Sequence, residues 1–297
     1  MEISGKEIRI RGKLIRTAYL DGEGYQFLDD PEGALAALRT LRPRIDLFTF
    51  IQKLSDASPK HRYPVEMDNM AALRVSSFDD WMEKQLRPRI RRMVRKTAKD
   101  GLFTREVFFD DDFIHGIQAI YNESPIRQGR RFWHYRKGFE AVRQMNGTFL
   151  DRSIFIGLFL EDSLIGFIKL VTSEDGSQAG LMQILSMIRY QDKAPTNALI
   201  AQAVRSCADR GIRYLWYGNF FYGKKQHDSL AEFKRRNGFE KVELPRYYVP
   251  LTLAGRAALR LGLHRGLAGR IPEPVAATYR KIRSRWYALR FPGLENA

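Results

Sequence analysis

A single cysteine, Cys207, occurs in 297 residues. One thiol closes no internal disulfide, and one Cys with five scattered His matches no familiar zinc spacing, so no metal site is expected. No uncharged apolar run approaches the roughly 18 residues that span a bilayer. The opening Met1-Glu2-Ile3-Ser4-Gly5-Lys6 lacks the apolar stretch of a secretory signal. A reducing cytoplasm is the expected setting, with a peripheral position on the inner face of the membrane as its variant. Solenoid-period repeats and low-complexity tracts are also missing. What is present is a globular mixture, 44% hydrophobic, 12% aromatic and 28% charged, which argues against a disordered, collagen-like or coiled-coil chain. Fifty Lys+Arg against thirty-four Asp+Glu leave a formal charge of +16. That field favours nucleic acid, phosphorylated ligands or an acidic membrane surface, without choosing among them.

Residues 1–75 read as a small α+β lobe. Strands are expected at 8–10, 14–20, 47–51 and 70–75, around a helix that begins at Asp30-Pro31-Glu32, turns Leu35, Leu38 and Leu41 inward and stops at Pro43. A helical stretch over 78–100 starts with a capping-box pattern, Ser77 and Asp80, is divided by Pro88 and ends at Gly101. Helical patterns follow at 111–121 and 134–145. Runs at 154–160, 164–172 and 181–190, separated by short polar turns, predict an antiparallel meander. A helix with period 3.6 over 195–210 faces Leu199, Ile200, Ala203, Val204 and Cys207 inward. A strand at 212–217, a helix from Ser229 through Arg236 and strands at 239–244 and 247–251 complete residues 76–252. Residues 253–297 hold nine Lys+Arg and two Asp+Glu, a net of +7, and predict two amphipathic helices at 254–269 and 274–290.

The order of three antiparallel strands, helix, strand, helix and two final strands resembles the Gcn5-related N-acetyltransferase (GNAT) fold. The segment Arg87-Pro-Arg-Ile-Arg-Arg-Met-Val-Arg-Lys-Thr-Ala-Lys99 resembles the basic first helix of FemAB-like acyltransferases. Leu215-Trp-Tyr-Gly-Asn219 and Asp228-Ser-Leu-Ala-Glu-Phe-Lys-Arg-Arg-Asn-Gly-Phe239 resemble that group's strand ending in Tyr-Gly and its Phe-Lys-x-x-x-Gly-Phe helix. The resemblance spans residues 76–252, with 1–75 as a partial first lobe and 253–297 as a basic helical tail. It implies a mixed α+β fold around a mostly antiparallel sheet. It also implies an N-acyltransferase that moves an acyl group from acyl-CoA, acetyl-CoA first, to an amine on an anionic acceptor such as an amino sugar, glycan or cell-wall precursor. Fem-type relatives imply aminoacyl-tRNA as the alternative donor. A non-catalytic module that binds RNA or anionic lipid is the reading from a different class.

The junction Arg189-Tyr-Gln-Asp-Lys-Ala-Pro-Thr-Asn197 matches the place where GNAT enzymes present a helix N-terminus to the pyrophosphate of CoA. Unpaired first-turn N–H groups and the helix dipole favour an anion there, which makes Arg189, Lys193, Thr196 and Asn197 the donor-binding candidates. The usual glycines are missing: none occurs between Gly180 and Gly211. Glycine is what permits close backbone approach to a phosphate, so the usual CoA cradle is not expected. The bland reading is an ordinary strand–helix junction.

Lys234 matches the lysine that in Fem-type enzymes lies near the reacting groups, where an ammonium steadies developing negative charge. Its bland reading is a solvated helix face. Among Tyr190, Tyr217 and Tyr222, the resemblance points to Tyr222 as acid, with Tyr217 beside it. The alternative is that the aromatics around Tyr222 fill a core. Gln183 and Ser186 occupy the strand where some GNAT enzymes carry a glutamate base. No carboxylate lies between Asp175 and Asp192, so a base would have to come from His227, Asp228 or the substrate. The segment 126–135 interleaves Arg127, Arg130 and Arg131 with Phe132, Trp133, His134 and Tyr135. Arg127, Arg130, Arg131, Trp133 and His134 are the acceptor-binding candidates, unless the aromatics only anchor the loop. Arg89, Arg92, Lys96 and Lys99 form one stripe of the 88–100 helix, opposite Ile90, Val94 and Thr97-Ala98, and suit a tRNA stem or CoA phosphates. In the tail, Arg280, Lys281, Arg283 and Arg285 interleave with Trp286, Tyr287 and Phe291. That pattern suits an anionic membrane surface or a helix packed by its apolar face.

Overall fold

Short runs of alternating apolar residues make strands that hide one face or both, and this chain joins many of them side by side. The computed structural model describes all residues but 4, 43, 223–228, 266–272 and 291–297. Its strands are β1 (Glu2–Ile3), β2 (Lys6–Arg11), β3 (Thr17–Leu20), β4 (Leu47–Ile51), β5 (Val65–Arg74), β6 (Leu102–Val107), β7 (Ile126–Arg127), β8 (Arg130–Arg131), β9 (Ser153–Leu160), β10 (Ser163–Thr172), β11 (Gln178–Ser186), β12 (Tyr214–Asn219) and β13 (Glu240–Pro250). Its helices are α1 (Pro31–Thr40), α2 (Phe78–Asp80), α3 (Pro88–Lys99), α4 (Asp111–Asn122), α5 (Phe139–Asn146), α6 (Pro195–Asp209), α7 (Ser229–Arg236), α8 (Leu253–Arg260) and α9 (Glu273–Arg290). Among the described residues, eleven strands form one sheet in the order β1-β2-β3-β4-β13-β5-β12-β11-β10-β9-β6, and β7 pairs with β8 apart from it. Only β3–β4 and β11–β12 run parallel. The chain thus has the expected mixed α+β architecture with a mostly antiparallel sheet.

Residues 1–75 share this sheet with the rest. β13 lies between β4 and β5 and pairs with both. Pro245 fits in so central a strand because its carbonyl, and hence its missing N–H, faces the side where β4 has ended; Gln52 N donates to that carbonyl at 3.2 Å. The two strands expected at 239–244 and 247–251 are therefore one. Asp30 caps α1 by accepting from Gly33 N at 3.0 Å, and Leu35 and Leu38 are buried beneath the N-terminal half of the sheet. Pro43, expected to stop this helix, lies outside the described residues. The larger core packs α3, α4 and α6 on the other strands, with Ile90, Ile114, Ile117, Leu199 and Val204 buried.

Two further expectations are corrected, and one strand is new. The 134–145 helix begins only at Phe139, because Gln128 and Arg136 take positive φ and the chain between them makes tight turns. The third meander strand stops at Ser186, and 188–193 form a 3-10 turn. β6, a charged edge strand beside β9, carried too little apolar pattern to announce itself.

Candidate active site

The site begins where two strands separate. β11 and β12 pair only over Gln178–Tyr214, Ala179–Leu215 and Gly180–Trp216. β11 then follows β10 as far as Ser186, while β12 follows β5 and shifts register between Trp216 and Asn219. Gly218 allows the shift: its φ is +55°, and a Cβ there would stand 2.5 Å from the Tyr222 hydroxyl. A wedge is left between Leu181–Ser186 and Tyr217–Asn219.

α7 closes one side of this wedge and carries Lys234. Its side chain is fully buried. Nζ donates to the carbonyl of Asn219, the last residue of β12, at 2.6 Å. It stands 4.6 Å from the Tyr217 ring centre and 4.9 Å from that of Tyr222. Two π faces and a carbonyl replace part of the water that burial removed. Tyr222 itself is 47% exposed and opens this cluster to solvent. The Tyr217 phenol is pushed up to about 12, chiefly by burial and then by Tyr222, so it keeps its proton at any physiological pH. Tyr25, from the first lobe, is raised for the same two reasons. Its ring lies 5.0 Å from Trp216, in a slot that exists because Gly180 has no side chain. The structure thus brings Lys234, Tyr217 and Tyr222 together and adds Tyr25, which the sequence showed only as the residue after a glycine-rich turn.

The donor-binding candidates divide. Thr196 lies 3.4 Å from Ser186 through their hydroxyls, joining the start of α6 to the end of β11. Asn197 is buried and donates to Asn237 Oδ1 at 3.0 Å, joining α6 to the end of α7. A cavity of about 260 Å³ opens at this junction, lined by Arg89, Met93, Asn197, Ser229, Phe233 and Arg236 among others. Lys193 is half-buried in the 188–193 turn, which packs on α3. Arg189 is instead exposed and leans toward Glu123. The first turn of α6 is poor in donors. Pro195 has no N–H, Asn197 N turns back to Ala194 O at 3.0 Å, and Ala194 takes φ +52°. On α3, Lys96 pairs with Asp100, while Arg89, Arg92 and Lys99 have no ion-pair partner among the described residues.

The segment 126–135 also divides. Arg127 is largely enclosed and spends its guanidinium on Ser186 O at 2.8 Å, Ile120 O at 3.0 Å and Glu123 Oε2 at 3.0 Å. Glu123 in turn accepts from Ile188 N and Arg189 N at 2.6 and 3.1 Å. This pair therefore pins the turn after β11. Arg130, Arg131 and Trp133 are exposed. His134 stacks 4.6 Å from Tyr121, and burial, then Lys137, holds its pKa below the ordinary imidazole value. Gln183 donates to Tyr121 Oη at 2.5 Å. His227 and Asp228 lie outside the described residues.

No family model matches the chain, and no curated protein matches its sequence. Solved structures do match. The C-terminal domain of an Agrobacterium fabrum protein described as a lysylphosphatidylglycerol synthetase superposes with TM-score 0.56 at 13% identity, over 86% of this chain and 84% of its own. L-PGS from Bacillus licheniformis superposes with TM-score 0.55 at 11% identity, over 81% and 80%. Likeness at such identity is likeness of fold. With the separated β11 and β12, the meander before them and the helix, strand and helix after, it defines a GNAT-like fold.

Proposed function

We propose that this chain is an acyltransferase that moves an activated acyl group to an amine on an anionic acceptor, with an amino sugar, glycan or cell-wall precursor as acceptor classes. One observation carries the reading: a buried ammonium, Lys234, caged by two phenols at the head of the wedge between β11 and β12. A carbonyl seated in that wedge would be attacked by the acceptor nitrogen, and its π electrons would move to oxygen. Lys234 and a protonated tyrosine then oppose the new negative charge. When the intermediate collapses, the leaving group takes a proton, for which Tyr222, at the solvent-facing side, is the candidate donor. Gln183 on β11 is tied to Tyr121 and supplies no base. The amine would lose its proton to water, to the acceptor's own anionic group, or to His227 or Asp228, the candidates from the sequence. Most of the rate would come from positioning and charge stabilisation.

Acyl-CoA is the donor that the commoner use of this fold suggests. Aminoacyl-tRNA is the alternative, and it is the donor chosen for the test because a specific observation of this molecule favours it. The start of α6 offers few N–H groups to a pyrophosphate, while α3 places Arg89 on the 260 Å³ cavity and carries Arg92 and Lys99, all three without an ion-pair partner among the described residues. The names of the two similar structures also point to an aminoacyl group on an anionic lipid, so phosphatidylglycerol belongs among the acceptors tested. The experiment supplies the purified chain with radiolabelled acetyl-CoA or charged tRNA and a panel of these acceptors. Labelled product formed from charged tRNA, and lost in Lys234→Met, is expected. Product from acetyl-CoA alone would overturn the choice of donor. No product from either donor, with salt-sensitive tRNA retention intact, would leave the non-catalytic binding module.

A further inference from the structure

α9 presents an apolar stripe that the other described residues leave exposed. At about 100° per residue, Val275, Tyr279, Ile282, Trp286 and Leu289 fall within about 80° of arc. They are between 49% and 83% exposed. Arg283 and Arg290 run along one edge of the stripe, and Lys281 and Arg285 along the other. The Arg290 guanidinium stands 5.1 Å from the Trp286 ring centre, and that of Arg283 5.9 Å from the Tyr279 ring centre. No Asp or Glu occurs from Pro274 to Arg290. The half-buried Tyr287 marks the side turned toward the protein, Arg283 stands at the border between that side and the stripe, and α9 lies against β8.

We propose that α9 docks flat on an anionic phospholipid bilayer, with this stripe sunk to the level of the acyl chains and the flanking cations among the headgroups. A purely electrostatic polyanion contact would leave five large apolar side chains in water. A purely apolar partner would leave two rows of cations uncompensated. An interface of hydrocarbon bordered by phosphate satisfies both, and Trp and Tyr suit its boundary. Because α9 adjoins β8, docking brings the exposed Arg130 and Arg131 to the headgroups. The inference does not depend on the acyl-transfer reading, and its test measures no turnover.

The test is flotation of the full chain with vesicles of phosphatidylglycerol and phosphatidylcholine, against phosphatidylcholine alone. Retention only on the anionic vesicles is expected. Ile282→Asp with Leu289→Asp should weaken it by about tenfold or more, and Lys281→Glu with Arg285→Glu should erase the preference for anionic lipid. All four positions are exposed, so thermal unfolding should stay unchanged. Trp286→Phe should bind but lose part of the blue shift in tryptophan emission. Failure of the full chain to float with anionic vesicles overturns the proposal. Undiminished binding by Ile282→Asp/Leu289→Asp overturns its assignment to this face. A self-associated species that the same double variant dissociates, with no vesicle binding, would assign the stripe to a second copy instead.

Discussion

Two lysines are buried to the same degree in this molecule, in regions that treat them differently. Lys169 lies in β10, between β9 and β11, where the ladders are closed on both sides. Its Nζ is held by the carbonyl of Asn146 at 2.7 Å, the carbonyl of Thr148 and the Thr148 hydroxyl at 2.9 Å. All three are neutral oxygens, and burial lowers its pKa to about 8. Lys234 lies where the ladder has ended; its Nζ donates to a β12 carbonyl beneath two phenols, one of them open to solvent. A buried ammonium inside a closed ladder serves as a structural tie. On the proposed reading, the same group where strands part is placed to meet a substrate. Burial alone does not distinguish these roles; the state of the neighbouring ladder does.

The sharpest test exchanges the two for methionine. Lys234→Met should lower kcat by about 100-fold or more, measured in the acyl-transfer assay, with modest change in donor KM. Lys169→Met should cost about 1–3 kcal/mol of stability by leaving its carbonyl partners unpaired, read as a denaturant midpoint, while kcat changes less than about threefold. Equal losses of turnover would dissolve the distinction. Gly218→Ala should come next, costing about 1–2 kcal/mol for the positive φ and about tenfold in kcat as Tyr222 is displaced. Unaltered kinetics would remove Tyr222 from the site.

Lys169 also carries a pH signature. Its folded pKa lies below the unfolded value, so between about 8 and 10.5 the unfolded chain holds the extra proton. Stability of wild type relative to Lys169→Met should therefore rise with pH across that window, on the order of 1 kcal/mol per unit, and be flat below it. Referring wild type to this variant cancels the tyrosines that titrate nearby. The smallest effects are expected on the open side of the site. Arg89→Glu and Arg92→Glu should each lower the salt slope of tRNA binding by about one. Unchanged slopes would detach α3 from the donor.

Local order was legible where neighbours along the chain decide it. The Asp30 cap, the inward Leu35 and Leu38, the α6 face bearing Cys207 and the end of α3 at Gly101 all follow from spacing and from glycine or proline chemistry. Lys234, Tyr217 and Tyr222 were reachable because motif resemblance placed them at one strand end and one helix. Tyr25, Glu123 and Asn237 were not. Tyr25 comes from more than 190 residues upstream of Tyr217, and Glu123 looked like an ordinary loop residue. Arg127 resembled its exposed neighbours Arg130 and Arg131, and only packing shows it locked on Ser186 and Glu123.

By itself the sequence determined the periodicities, caps and charge of this protein, because those depend on residues a few positions apart. It thereby determined the order of helices and strands that a GNAT-like fold needs. Tertiary structure alone decided that pairing between β11 and β12 stops after three residue pairs, that β13 enters between β4 and β5, and which of the basic residues are ties and which remain open. Those outcomes depend on competition for partners across the whole sheet, and a strand's own residues do not reveal which neighbour it will lose.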